Sequence, residues 1–175
     1  MQVLKVILAI MLLAVALVFG IGQVLSDRVH MERRITVNAP SGEIFALLNS
    51  PQQYTTWSPW FSKDPNVELR FDGPVAGQGA KVSWWSEQKD VGSGSETILE
   101  SQENQFVRTR LDFGAQTASA TFMLEATAEG TRVVWGFYGD CEGDLVCRYI
   151  GLLLDHMMGP NYEAGLRNIK RLAEN

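Results

Sequence analysis

The stretch DLVCRYIGLLLDHMMGPNYEAGLRNIKRLAEN, residues Asp144 to Asn175, decides how the rest of the chain is read. Val146, Ile150, Leu153, Leu154 and Met157 recur at helical spacing, and so do Tyr162, Gly165, Leu166, Ile169 and Leu172. At about 100° per residue, Met157 and Leu166 point in roughly opposite directions, so one straight helix cannot bury both sets. A break is expected at Gly159-Pro160, since proline lacks the N–H of an interior turn and suits the first position of a new helix ending near Ala173. Glu163 with Arg167 and Lys170 with Glu174 supply solvent-side pairs, and the basic residues lie toward the end that the helix dipole favours. The last helix is therefore amphipathic and needs an apolar partner.

Working back, the period of the sequence is two. Val67, Leu69 and Phe71 alternate with polar residues up to Gly73-Pro74, and Ala80, Val82 and Trp84 form the next run. A Gly/Ser-softened strand spans about Val91 to Glu100, followed by Val107 to Phe113, Ala118 to Leu124 and Val133 to Phe137, each after a short polar turn. Short turns make consecutive strands antiparallel. Before them, Ile35 and Val37 alternate with Thr36 and Asn38, Pro40 opens a short helix carrying Ile44 to Leu48, and Ser50-Pro51 opens a second short helix or turn ending in Tyr54, Trp57, Trp60 and Phe61. A sheet with one apolar face must cover it, and the terminal helix is the element long enough to do so. The fold class expected is α+β: a curved antiparallel sheet of about seven strands wrapped on a long C-terminal helix.

Val6 to Gly22 carries no charge and is almost wholly aliphatic. About 20 helical residues cover about 30 Å, the thickness of the hydrocarbon layer, so residues 1–26 read as a single-pass anchor and 27–175 as one domain. A cleaved signal peptide is the rival reading. The apolar run is long for one, and no Ala-x-Ala site follows it. Lys5 on one side and Arg28, Arg33 and Arg34 on the other leave the orientation open.

The net charge is −5, and the fifteen Lys and Arg are scattered, which argues against nucleic acid as partner. Cys141 and Cys147 match no metal spacing and the chain has two histidines, His30 and His156, so neither metal nor cofactor is expected. A disulfide between the two cysteines and a pair of small buried thiols both remain open. Asp155 and His156 are adjacent and do not share a helix face, Gly77-Gln78-Gly79 lacks the context of a phosphate loop, and no Gly-x-Ser-x-Gly occurs. No catalytic residue is assigned, and the reading leans against catalysis.

Ile35-Thr36-Val37-Asn38-Ala39-Pro40 leading into Ile44 to Leu48, then Trp57-Ser58-Pro59-Trp60, resembles the opening of the SRPBCC superfamily, also called START-like or Bet v 1-like. Gly77-x-Gly79-Ala80 before Trp84, Gly130-Thr131-x-Val133 before Trp135, and the segment from Gly159-Pro160 to Lys170 are similar to its polyketide cyclase/dehydrase and lipid transport branch. The resemblance covers about Glu32 to Ala173. It implies the helix-grip fold, and for activity it spans lipid carriers, cyclases, hydroxylase domains and co-chaperone activators.

A curved sheet gripping a helix leaves a gap, and aromatic rings stand in the elements around it. Trp57 and Trp60 come from the short helices, Trp84, Phe113, Phe122, Trp135 and Phe137 from strands, and Met157 from the terminal segment. These are the expected ligand contacts, in a pocket of about 300 to 1,000 Å³. Arg108, Arg110 or Glu96 would add a polar anchor if turned inward. The leading expectation is membrane-tethered binding of a hydrophobic small molecule, a lipid or lipid-like or aromatic metabolite, with the membrane itself as second partner. The alternatives are a cyclase/dehydratase-type enzyme, which requires an ionisable group deep in the pocket, and a protein-interaction module with a filled core.

Overall fold

Each period-two run becomes a strand of one sheet. The computed structural model describes residues 2–114 and 116–175. Strands β1 (Arg28–Val37), β2 (Glu68–Asp72), β3 (Lys81–Trp85), β4 (Gly94–Gln102), β5 (Phe106–Asp112), β6 (Thr117–Thr127) and β7 (Gly130–Asp140) pair antiparallel in the order β1-β7-β6-β5-β4-β3-β2. The last six are joined as a meander, and β1 closes the far side against β7, with Met31 opposite Phe137 and Val37 opposite Thr131.

β1 is ten residues long, not the short Ile35–Val37 strand expected. Val29, Met31, Arg33, Ile35 and Val37 share its inner face, and the arginine in the middle of that row hides the alternation. Arg33 is inward because acids meet it: its guanidinium bonds Asp155 at 2.7 Å and Glu163 at 3.1 Å on the terminal helix.

Helix α1 (Gln2–Val24) precedes the sheet, and α2 (Ser41–Leu48), a 3₁₀ turn at Pro51–Gln53, α3 (Tyr54–Trp57) and α4 (Pro59–Lys63) lie between β1 and β2. The aromatic segment is thus broken into three short pieces, with Pro51 and Pro59 each opening one. After β7 come α5 (Leu145–Gly151) and α6 (Leu154–Ala173).

The break in the terminal stretch lies at Leu152-Leu153 and not at Gly159-Pro160. Asp144 caps α5 by accepting from the Val146 and Cys147 N–H groups, and α6 runs straight through Pro160. Proline's fixed φ is already helical, so it forfeits one backbone bond near the start of the helix without ending it. Asp155 and Glu163 lie on either side of it, both held by Arg33, which keeps the two halves in line. Farther along, the Lys170 ammonium donates to the Thr36 carbonyl and Glu174 accepts from the Asn38 N–H. The predicted conflict between the two apolar faces is resolved by burying one. Tyr162, Leu166 and Ile169 are in the core, and Leu154 of the other set joins them, whereas Val146, Ile150, Leu153 and Met157 are exposed.

The core between sheet and α6 is densest where α2 joins them: Val37, Ile44, Leu48, Val82, Ile98, Val107, Val133, Leu124 and Ile169 are all buried there. Cys141 and Cys147 form a disulfide that ties the end of β7 to α5.

Candidate ligand-binding cavity

At the other end, sheet and helix part. A cavity of about 620 Å³ lies between the strands, α3, α4 and α6. Ala120 on β6, Leu111 on β5 and Glu96 on β4 stand on the inner face there, and the small side chain of Ala120 leaves space beneath α6.

Two groups of rings wall it. In the first, Trp135 stacks on Tyr162 with centroids 3.9 Å apart, and Trp60 meets both edge-on. Gly165 makes that approach possible, because a Cβ there would lie 2.7 Å from Trp135 Cζ3. Trp57 also packs edge-on to Trp135, and its indole N–H donates to the Leu47 carbonyl at 3.0 Å. In the second group, Trp84 sits between Phe61 and Phe113, at 6.0 and 6.1 Å. The rings therefore both touch one another and border a void, where the sequence offered these as alternatives.

Of the eight predicted contacts, Trp57, Trp60, Trp84, Phe113, Trp135 and Met157 line the cavity. Phe122 and Phe137 do not. Phe122 is buried behind the first wall, stacked on Trp135 at 5.1 Å, and Phe137, also buried, pairs with Met31 and Ala120 across the sheet. Tyr162, Phe61, Leu111, Ala120, Met158 and Asn161 line it without having been singled out as contacts. Tyr162 was legible as part of the buried face of α6, and Ala120 only as one more strand residue.

Polar side chains line part of the wall: Ser58, Lys63, Lys89, Asp90 and Asn161 as well as Glu96. Glu96 is turned into the cavity, and the Thr109 hydroxyl donates to its Oε1 at 2.7 Å. Burial pushes its carboxyl up to about 7, and the Thr109 bond opposes the shift. Tyr54 and Tyr162 are held well above the ordinary phenol value, first by burial and second by the charge of Glu96. Arg108 pairs with Glu100 on the outside, and Arg110 is likewise exposed. The indole N–H of Trp135 is buried with no acceptor among the described residues. His156 stays on the surface, and the described residues hold no cluster of three metal-ligating side chains.

The description of the family model that matches residues 28–174 is polyketide cyclase / dehydrase and lipid transport. The chain belongs to that family. The match runs from β1 to α6, so the resemblance drawn from the strand and helix motifs holds across the whole domain. Among solved structures, a Chromobacterium violaceum protein is 15% identical with a TM-score of 0.57, over 84% of this chain and 99% of its own. A Staphylococcus aureus protein of unknown function is 11% identical with a TM-score of 0.64, over 84% of this chain and 94% of its own. The di-domain ARO/CYC StfQ from the steffimycin biosynthetic pathway is 13% identical with a TM-score of 0.61, over 84% of this chain and 51% of that one. At these identities the likeness concerns fold alone. No curated protein shows a significant match.

Proposed function

We propose that residues 27–175 bind a hydrophobic small molecule, a lipid or a lipid-like or aromatic metabolite, in the cavity under α6, and that residues 1–26 tether the domain to a membrane. The observation that carries this reading is a 620 Å³ space walled largely by Trp, Phe and Tyr rings, with the Glu96 carboxyl turned into it and Lys63, Lys89 and Asp90 also on its lining. Burying about 300 Å² of apolar ligand at about 25 cal/mol/Å² gives roughly 7 kcal/mol gross, from which several kcal/mol of lost freedom are subtracted. Glu96 adds direction. Near neutral pH it is present in both forms, so it donates to a ligand carbonyl or accepts from a ligand hydroxyl. The orphaned Trp135 N–H is a second group for a ligand oxygen to meet.

Among the described residues, α1 is the one helix long and apolar enough to cross a membrane. The Cys141–Cys147 disulfide favours the oxidising, extracytoplasmic side for the domain.

Native mass spectrometry of the detergent-purified protein, with tryptophan fluorescence titrations of fatty acids, phospholipids and polycyclic aromatics, tests the proposal. Co-purified mass and a fluorescence change lost in Trp84→Ala and Trp135→Ala are expected. No bound mass and unchanged fluorescence would overturn it.

One observation favours a second reading, a cyclase/dehydratase-type enzyme. A carboxyl near pH 7 inside an apolar cavity suits proton transfer to a held substrate. Glu96→Gln separates the two, since a binding protein keeps its ligand with altered affinity and an enzyme keeps its ligand without turnover.

A further inference from the structure

The apolar face that α6 does not bury has no partner among the described residues of the domain. Val146, Ile150, Leu152, Leu153 and Met157 are between 47 and 67% exposed, in one run covering α5, the two-residue link and the first turn of α6. A contiguous apolar surface of this kind marks an interaction site.

Its position says what covers it. α5 packs against the end of α1: Leu145 and Tyr149 close over Gly22, where a Cβ would lie 3.0 and 3.2 Å from their side chains. The Arg148 guanidinium donates to the Gly22 carbonyl at 2.9 Å and pairs with Asp27, while the Tyr149 hydroxyl donates to the Val18 carbonyl. Val18 is six residues before the end of α1. At 1.5 Å per residue Tyr149 reaches about 9 Å below the top of that helix. Interfacial helices bury their apolar faces to about 5–10 Å. A span that crosses the hydrocarbon up to Val24 therefore carries α5 into the headgroup and upper acyl region beside it.

We infer that α5 and the start of α6 form a rim that dips into the bilayer spanned by α1 and sets the mouth of the cavity on the lipid surface. Met157 belongs to both, being exposed in the apolar run and lining the cavity. An apolar ligand passes between membrane and cavity along this rim without crossing water. The surface around it carries Glu142, Asp144 and Asp155, so its attraction to lipid is apolar and does not depend on anionic headgroups. The inference rests on the proposed anchor and binding cavity.

The test uses the full-length protein in phosphatidylcholine nanodiscs containing a lipid with a photoreactive acyl chain, the labelled peptides being mapped by mass spectrometry. Labelling of residues 145–157 as well as α1 is expected. Label confined to α1, or cross-links from this run to a second copy of the chain, would overturn the rim. A Leu152→Asp/Leu153→Asp variant, changed only at exposed positions, should lose the labelling and take up a fluorescent fatty acid from the nanodisc at least tenfold more slowly. Its affinity for the same probe in detergent should match the wild type. Equal uptake rates would also overturn the rim, whereas wild type that is labelled at 145–157 yet binds no probe in detergent would fail the cavity proposal and leave the rim standing.

Discussion

Along β6 the inward side chains are Ala118, Ala120, Phe122 and Leu124, small at one end of the strand and large at the other. On β4 and β5 the two ends differ in burial and polarity and not in side-chain size. On β4, Glu96 precedes the fully buried Ile98, and the partly buried Leu111 of β5 lies at the end opposite the buried Val107. Where the large residues meet α2 and α6 the interior is filled, and where the small or polar ones face α6 it is hollow. One sheet and one helix thus build two interiors, and on β6 the step from Ala120 to Phe122 marks the boundary between them. The filled end supplies stability. The hollow end holds a carboxyl that dense packing would not tolerate without a partner.

That division is testable, most severely by truncation. Leu48→Ala, in the filled end, should cost about 4 kcal/mol in urea-induced unfolding, because the neighbours cannot close the void. Leu111→Ala, which only enlarges an existing cavity, should cost about 1 kcal/mol. Equal losses would show that the cavity walls are as tightly packed as the core.

Next in size is a pH effect confined to the hollow end. Folded Glu96 keeps its proton up to about pH 7, while in the unfolded chain it ionises near its ordinary value of 4.5. Between those values the folded state binds more protons, so stability falls as pH rises through the window. The fall is on the order of 3 kcal/mol. Urea midpoints at pH 5 and pH 8 measure it, and Glu96→Gln should flatten that part of the profile. A slope unchanged in the variant would assign the effect elsewhere.

How far the sequence disclosed this depends on the kind of information each feature needs. Alternation marks strand faces, so the meander from Val67 to Phe137 was legible, whereas Arg108, Arg110 and Glu96 were left open as inward anchors, and of the three only Glu96 lines the cavity. Alternation also puts Glu96 on the face of Ile98. It does not say which end of a face opens, which is why Phe122 and Phe137 were expected at the cavity and instead stand behind or beside its wall. The full length of β1 and the continuity of α6 through Pro160 share one cause, the Arg33 clamp on Asp155 and Glu163, whose partners are more than a hundred residues apart. No local pattern announces such a contact.

The seam between the two interiors is Gly165. A methyl group there meets Trp135 Cζ3 at 2.7 Å and Pro59 Cδ at 3.3 Å, and neither ring has room to retreat without moving Tyr162 or α4. Gly165→Ala should therefore lower stability by about 2 kcal/mol despite the better helix propensity of alanine, and weaken the near-UV circular dichroism of the Trp135–Tyr162 stack. A neutral or stabilising result would mean that α6 is free to lift off the wall.

The smallest effect is the most discriminating, because it compares one substitution at two alanines that surface exposure cannot tell apart. Ala80 and Ala120 are 0 and 1% exposed, yet Ala80 belongs to the packed cluster and Ala120 lines the cavity. Adding three carbons at Ala80 forces neighbours off their rotamers, and Ala80→Leu should cost about 2 kcal/mol. At Ala120 the new side chain enters open space beside Trp135, so Ala120→Leu should change stability by less than about 1 kcal/mol, with either sign. Its cost is read in binding, since the added isopropyl group occupies ligand volume and weakens uptake of a fluorescent fatty acid. If the two variants lost the same stability, the space under α6 would close in solution, and the hollow end would have to be redrawn as a second, looser core.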